Sequence, residues 1–101
     1  MPRIKRTAAD ARWAKEVKER DGHRCKRCLK PYPEKHQGLH AAHIFTRSRK
    51  ATRTDRDNGV SLCMGCHLWG HANPSEFREW VISWMGEDKY LELERKSKPR
   101  G

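Results

Sequence analysis

The stretch NGVSLCMGCHLWGH, residues 58–71, places two cysteines and two histidines within fourteen consecutive positions. All four are side chains of the kinds that bind transition metals in proteins. Cys25 and Cys28 form a second Cys-x-x-Cys pair upstream, and His40 and His43 lie between the two pairs. Eight candidate ligands in 101 residues raise the question of whether the chain holds one metal site or two.

The composition favours a fold that is stabilised by metal. The chain has 101 residues and 35% apolar side chains, which predicts one domain with a thin core. It shows no apolar signal-peptide core and no apolar run long enough to cross a membrane, so we expect a cytoplasmic protein with reduced thiols. Two Cys-x-x-Cys pairs then indicate one tetrahedral, structural Zn²⁺ rather than two disulfides, and a redox role is the alternative. The predicted zinc ligands are Cys25, Cys28, Cys63 and Cys66.

Positive charge is concentrated in the first half of the chain. The formal net charge is +10, and residues 1–56 hold 17 basic and 6 acidic residues, against 6 and 7 in residues 57–101. This uneven distribution predicts a polyanionic partner, and nucleic acid in particular. A basic surface that only aids solubility is the alternative.

Hydrophobic periodicity and helix-stop signals predict a small α+β fold. Residues 1–7 are expected to form a flexible basic arm, and a helix over 8–21 should end at Gly22. The first Cys pair then lies in a zinc knuckle. Strands are predicted over 39–45 and 59–63, with a basic loop over 46–57 between them. The second Cys pair is expected to open a short helix.

Two C-terminal helices complete the predicted fold, over about residues 74–97. Asn73 is the expected N-cap of the first, with Glu76 in a capping box, and Gly86 ends it. The last helix is predicted over 87–96. Together these features predict a single domain over 8–101, with its core at about residues 22–72.

The histidines cannot join the cysteines, because four thiolates already complete a tetrahedral zinc site. They are therefore either unrelated to metal, as surface histidines, or part of a second site. His67 and His71 are four residues apart, so they share one face of a helix and can chelate one ion. Side chains alternate along a strand, so His40 and His43 should lie on opposite faces, one of them toward the metal.

The order and spacing of these residues resemble the HNH endonucleases and their ββα-metal motif. The matching residues are His43 on a strand, Asn58, and His67 in the segment CMGCH, with His71 one helical turn later. The chain is most similar to the small phage-encoded members, over about residues 22–86. The resemblance implies a ββα-metal, treble-clef-like core held by the four-cysteine zinc site, with flanking N- and C-terminal helices.

The resemblance also implies an activity, which is metal-dependent hydrolysis of double-stranded DNA by nicking or double-strand cleavage. His43 would be the general base, and Asn58 would hold it in place by tying the loop between the strands. His67 and His71 would bind a catalytic Mn²⁺, Mg²⁺, Ni²⁺ or Zn²⁺. Such a protein would act as a monomer in a bacterial or phage-infected cell, with phage packaging proteins such as terminase as partners.

Basic side chains of the loop between the strands would then grip the DNA phosphates. The candidates are Arg47, Arg49, Lys50, Arg53 and Arg56. Arg47 and Arg53 are the two expected to stabilise the transition state at the cleaved bond.

One position departs from the family pattern. The residue before the general base is usually an Asp or His that binds the metal, and here it is Ala42, which cannot coordinate. His40 shares the strand face of Ala42 and is the predicted replacement, with water or Asp57 as alternatives. Two other functions stay open: a zinc-stapled nucleic-acid-binding module without catalysis, and an interaction protein that docks on a larger nuclease or packaging complex.

Overall fold

A computed structural model describes residues 6–34 and 37–98, and these residues form a small α+β fold of four helices and one two-stranded antiparallel sheet. The elements are α1 (Ala8–Arg20), β1 (Leu39–His43), β2 (Gly59–Cys63), α2 (Met64–Ala72), α3 (Pro74–Met85) and α4 (Glu87–Ser97), with a 3-10 turn at Arg56–Asn58. The predicted fold class is confirmed at this level. Residues 1–5 of the predicted basic arm lie outside the described residues.

Helix α1 has nearly the predicted bounds, because both of its ends carry local stop signals. The Thr7 hydroxyl accepts a hydrogen bond from the Asp10 N–H, and the Asp10 carboxylate accepts one from the Thr7 N–H. Gly22, at φ +68°, turns the chain beyond the other end. The buried residues of the helix are Asp10, Trp13, Ala14 and Val17.

The two-stranded sheet packs a different layer on each face. The strands are antiparallel, with His43 opposite Gly59 at one end. One face lies on α1, and Gly59 permits an approach so close that a Cβ there would lie 2.6 Å from the Val17 side chain. The other face carries Ala42 and Leu62 into a buried cluster shared with α2 and α3.

Strand β1 ends two residues earlier than predicted, because Asn58 forms hydrogen bonds with the residues that follow the strand. The Ile44 N–H donates to the Asn58 carbonyl oxygen at 3.1 Å, but the Phe45 N–H donates to the Asn58 side-chain oxygen at 2.7 Å. A side-chain acceptor therefore replaces the backbone partner that a longer strand would need.

The capping box predicted for α3 is wrong. Asn73 precedes Pro74, but its amide donates to the Trp69 carbonyl oxygen at 3.0 Å and makes no capping bond to α3. Asn73 is the N-cap of α3, as predicted, but its side chain bonds to α2, so the capping box with Glu76 does not form. Gly86, at φ +95°, separates α3 from α4. Among the described residues, no helix is long and apolar enough to cross a membrane.

Candidate metal centre and histidine groove

The four cysteines converge on one point. Cys25 and Cys28 come from the turn after α1, Cys63 from the end of β2 and Cys66 from α2, and all four sulfur atoms lie within 4.8 Å of one another. The Cys28 and Cys63 sulfurs are 3.7 Å apart. A tetrahedron with Zn–S bonds of about 2.3 Å requires about 3.8 Å between sulfurs. The cluster can therefore hold a metal ion such as Zn²⁺.

Backbone hydrogen bonds shape the turn that carries the first Cys pair. The Cys28 N–H donates to the Cys25 sulfur at 3.4 Å, and the Leu29 N–H donates to the Cys25 carbonyl oxygen at 2.8 Å. The Lys26 N–H donates to the Ser61 carbonyl oxygen of β2 at 2.9 Å. This last bond ties one half of the cluster to the strand that leads into the other half.

The pKa values of Cys25 and Cys66 are shifted in opposite directions. Burial raises the pKa of Cys25, but N–H groups of Cys28, Cys63 and Arg27 outweigh it, and the pKa falls below its ordinary value. Burial raises the pKa of Cys66, although the Arg27 guanidinium, 3.6 Å from the sulfur, opposes the change. Four thiolates this close repel one another, so a bound cation is needed for all of them to ionise.

The three predicted histidine ligands lie side by side between β1 and α2. The Nδ1 atoms of His40 and His67 are 2.9 Å apart, and the ring centroids of His67 and His71 are 4.7 Å apart. Two nitrogen ligands of one ion, at bonds of about 2.1 Å, would be separated by about 2.9–3.4 Å. A hydrogen bond between the rings has the same length. Within residues 6–34 and 37–98, the three rings do not converge as the cysteines do.

His67 is in the protonation state that a metal ligand needs. Burial lowers the pKa of His67, and the electrostatic effect of His71, His40 and His43 lowers it further. The imidazole is therefore neutral at pH 7, with a lone pair available for coordination.

His43 lies on the α1 side of β1, away from His67, as strand alternation predicts. Its ring stacks on Trp13, with centroids 4.0 Å apart and planes 12° apart. Its Nε2 is 3.0 Å from the carbonyl oxygen of Arg53, which can only accept, so Nε2 carries the hydrogen and Nδ1 is the basic nitrogen. Burial lowers the pKa of His43, so the ring is neutral at pH 7.

A groove of about 390 Å³ beside α1 and β1 brings the two strand histidines to one surface. His40 and His43 both line this histidine groove, although they leave β1 on opposite faces. Its charged lining residues are Arg6, Lys18 and Arg47, together with Asp10, whose carboxylate is paired with Arg53. The groove thus joins two imidazoles to a positive surface, which suits a phosphate group.

Arg53, a predicted phosphate contact, is held by a carboxylate of α1. Its guanidinium donates two hydrogen bonds to Asp10, one of them from Nε at 2.8 Å. Only 21% of the Arg53 side chain and 8% of the Asp10 side chain are exposed. The Arg53 hydrogen bonds, with one from the Thr7 N–H, hold the pKa of Asp10 far below its usual range. The pair anchors to α1 the segment whose carbonyl oxygen binds His43.

Asn58 is fully buried and joins the two ends of a loop. Its side-chain oxygen accepts from the Phe45 N–H, and its amide donates to the carbonyl oxygens of Phe45 and Thr52, both at 2.9 Å. The residues after β1 are thereby fixed next to His43. The effect of Asn58 on the general base stays a prediction.

The remaining predicted residues lie elsewhere. Arg49, Lys50 and Arg56 are exposed, and Ala42 is buried in the core. The carboxylate of Asp57, the alternative metal ligand, is 3.4 Å from the Lys89 ammonium group.

Sequence reasoning did not identify the contribution of α1. Apolar periodicity places Trp13 on the buried stripe of the helix, which is correct but does not reveal its contact with His43. Asp10 carried no signal of its partner Arg53, which lies 43 residues away. Comparisons of the chain with protein-family models, with curated proteins and with solved structures found no match.

Proposed function

We propose that this chain is a metal-dependent DNA endonuclease of the HNH type, built on a ββα-metal core. The observation that carries the proposal is the arrangement around β1. A neutral His43, held by Trp13 and the Arg53 carbonyl, lines the same groove as His40, whose ring contacts His67. The groove thus places the proton acceptor beside one candidate ligand, His40, which in turn contacts a second, His67. Phosphodiester hydrolysis requires both a proton acceptor and a divalent ion.

In the proposed reaction, Nδ1 of His43 takes a proton from a water molecule. The water oxygen forms a bond to phosphorus as the bond from phosphorus to the 3′ oxygen breaks, and the 3′ oxygen then takes a proton from a second, solvent water molecule. The Nε2 hydrogen bond to the Arg53 carbonyl keeps the ring oriented and stabilises the imidazolium that forms. Asn58 supports this arrangement by holding the loop.

His67, His71 and His40 would hold the catalytic ion, with His40 in place of the ligand that Ala42 cannot supply. When bound, the ion would neutralise charge on the scissile phosphate and the leaving oxygen. Imidazole nitrogens favour Mn²⁺, Ni²⁺ or Zn²⁺ over Mg²⁺, which prefers oxygen ligands. The cysteine cluster would hold a separate, structural Zn²⁺.

Double-stranded DNA is the proposed substrate, because cationic side chains surround the histidine groove. Arg47 would contact phosphate within it, and the exposed Arg49, Lys50 and Arg56 would contact flanking phosphates. Arg53 would act by position, since Asp10 binds its guanidinium. A monomer as the active form, and phage packaging proteins such as terminase as partners, are proposed on the resemblance alone.

Incubation of the purified protein with supercoiled plasmid tests the activity. We expect nicked or linear product with Mn²⁺ or Ni²⁺, less with Mg²⁺, and none without an added divalent ion. An intact plasmid with every ion would contradict the proposal.

A zinc-stapled nucleic-acid-binding module without catalysis is the second candidate. It is favoured by one observation: within the described part of the chain, the histidines do not converge on one point, whereas the cysteines do. Such a module would bind the plasmid in a gel-shift assay but leave it uncut.

A further inference from the structure

A second groove, of about 1310 Å³, lies between the loop that follows β1 and the C-terminal end of α4. Of the described residues that line it, none is acidic and five are basic: Arg49, Lys50, Arg95, Lys96 and Lys98. One nearby carboxylate, Glu92, accepts a hydrogen bond from Arg95 at 2.9 Å, and both of those side chains are mostly exposed. The other four cations give this loop–α4 groove a strong positive charge.

Both walls of the loop–α4 groove are held in place by the fold. The rings of Phe45 and Tyr90 lie 5.3 Å apart, which sets α4 beside the start of the loop. The buried residues of α4 are Tyr90, Leu93 and Ser97. They lie on one side of the helix, so Lys96 remains exposed on another. The loop wall is fixed by the Asn58 bond to the Thr52 carbonyl oxygen.

We propose that the loop–α4 groove binds the phosphate backbone of double-stranded DNA, outside the cleavage site. The identity of this partner rests on the proposed function. Arg47 lines the histidine groove while its neighbours Thr46 and Ser48 line the loop–α4 groove, so a duplex that crosses the loop would reach both. Lysine ammonium groups on flexible stems bind phosphates as point charges without reading bases. The contacts are therefore independent of sequence, and Lys96 and Lys98 become DNA-binding residues.

Fluorescence anisotropy of a labelled duplex, measured across a range of salt concentrations without added divalent ion, tests the groove. The Lys96→Gln/Lys98→Gln variant removes two charges from the α4 wall. We expect the slope of log K against log[salt] to decrease in magnitude by about 2, since each phosphate contact contributes about 0.9, and the loss to be equal for duplexes of different sequence. The matched control is Lys26→Gln/Lys89→Gln, which removes two charges from a depression that also contains Asp21 and Asp57.

A slope equal to that of the parent, or a loss no larger than in the control, would overturn the role of α4. If the slope is unchanged for Lys96→Gln/Lys98→Gln but reduced for Arg49→Gln/Lys50→Gln, DNA binds the loop alone. That result would also overturn the role of α4. A protein that shows the expected slope change but cuts no plasmid would support this groove and contradict the nuclease proposal. A protein that cuts plasmid, but whose Lys96→Gln/Lys98→Gln variant shows an unchanged slope, would support the nuclease proposal and contradict the role of this groove.

Discussion

Trp13 and His43 form a parallel ring stack, with centroids 4.0 Å apart and planes 12° apart. Trp13 is itself fixed, since its Nε1–H donates to the Asp55 carbonyl oxygen at 2.7 Å. The stack covers one face of the imidazole, and burial is the largest cause of the lowered pKa of His43. Helix α1, which lies outside the strand pair and α2, therefore orients the proposed general base and contributes to its burial.

Replacement of this aromatic face should change the pH profile of cleavage. In Trp13→Leu, the pKa of His43 should rise toward its ordinary value of about 6.5, which moves the acid limb of the profile to higher pH. The rate at pH 7 should fall by about 10–100-fold because the ring is no longer held. Trp13→Phe keeps a stacked ring and is the control, with an acid limb like that of the parent. Identical pH profiles for Trp13→Leu and the parent would show that the ring stack does not lower the pKa of His43.

The direction of this pH dependence follows from the neutral form being the active one. Arg47 and Arg53 add to the lowering of the His43 pKa and Asp10 opposes it. Cleavage by the parent should therefore rise with pH through a pKa below 6.5 and level off by neutral pH. The pKa of His43 is lower in the folded state than in the unfolded state, so between these two pKa values the folded state binds fewer protons. The stability contributed by neutral His43 is present above about pH 6.5 and is lost as pH falls through the folded-state pKa.

Loss of the Asp10 carboxylate should affect cleavage through position. Asp10→Asn breaks the ion pair that anchors Arg53, so the carbonyl oxygen that orients His43 gains freedom. We expect kcat to fall by about 10–100-fold with duplex affinity nearly unchanged, together with a lower Tm. Glu19→Gln, which removes an exposed carboxylate from the same helix, is the matched control. An equal loss of kcat in both variants would show that helix charge, not the Asp10–Arg53 pair, matters.

Removal of one cysteine should remove both the metal and the fold. Structural Zn²⁺ contributes roughly 10–16 kcal/mol of apparent binding free energy, while a small domain has a net stability of only about 5–15 kcal/mol. Cys63→Ser should therefore lose bound zinc, measured by elemental analysis, and helical circular dichroism in parallel. A variant that folds without zinc would show that the cysteine cluster does not stabilise this domain.

Titration of cleavage with Mn²⁺ should identify the ligands of the proposed catalytic ion. Single Ala variants of His40, His67 and His71 should each raise the Mn²⁺ concentration needed for half-maximal rate, because each removes one ligand. The rate at saturating Mn²⁺ should recover at least in part. If His40→Ala titrates like the parent, the contact between His40 and His67 is an ordinary hydrogen bond and the third ligand is water, phosphate or a carboxylate.

The parts of this structure that sequence could predict are those set by local patterns. Cys-x-x-Cys spacing predicts the cluster, apolar periodicity predicts the helices, and strand alternation places His40 and His43 on opposite faces. The contacts that sequence did not predict join residues that are distant in the chain, or involve a side chain that has two possible partners. Asp10 pairs with Arg53, 43 residues away in sequence, and the side chain of Asn73, although this residue is the predicted N-cap of α3, bonds to Trp69 of α2. Neither of these two contacts can be predicted from the periodicity of the sequence.

If His43 is the general base of a nuclease, its removal should abolish the chemical step and leave DNA binding intact. Plasmid cleavage by His43→Ala is compared with the parent at saturating Mn²⁺, after zinc content, circular dichroism and duplex affinity have been matched. We expect a rate about 10²–10⁴-fold lower with duplex binding unchanged, because a general base acts on the chemical step. Cleavage at the parental rate would contradict this role of His43.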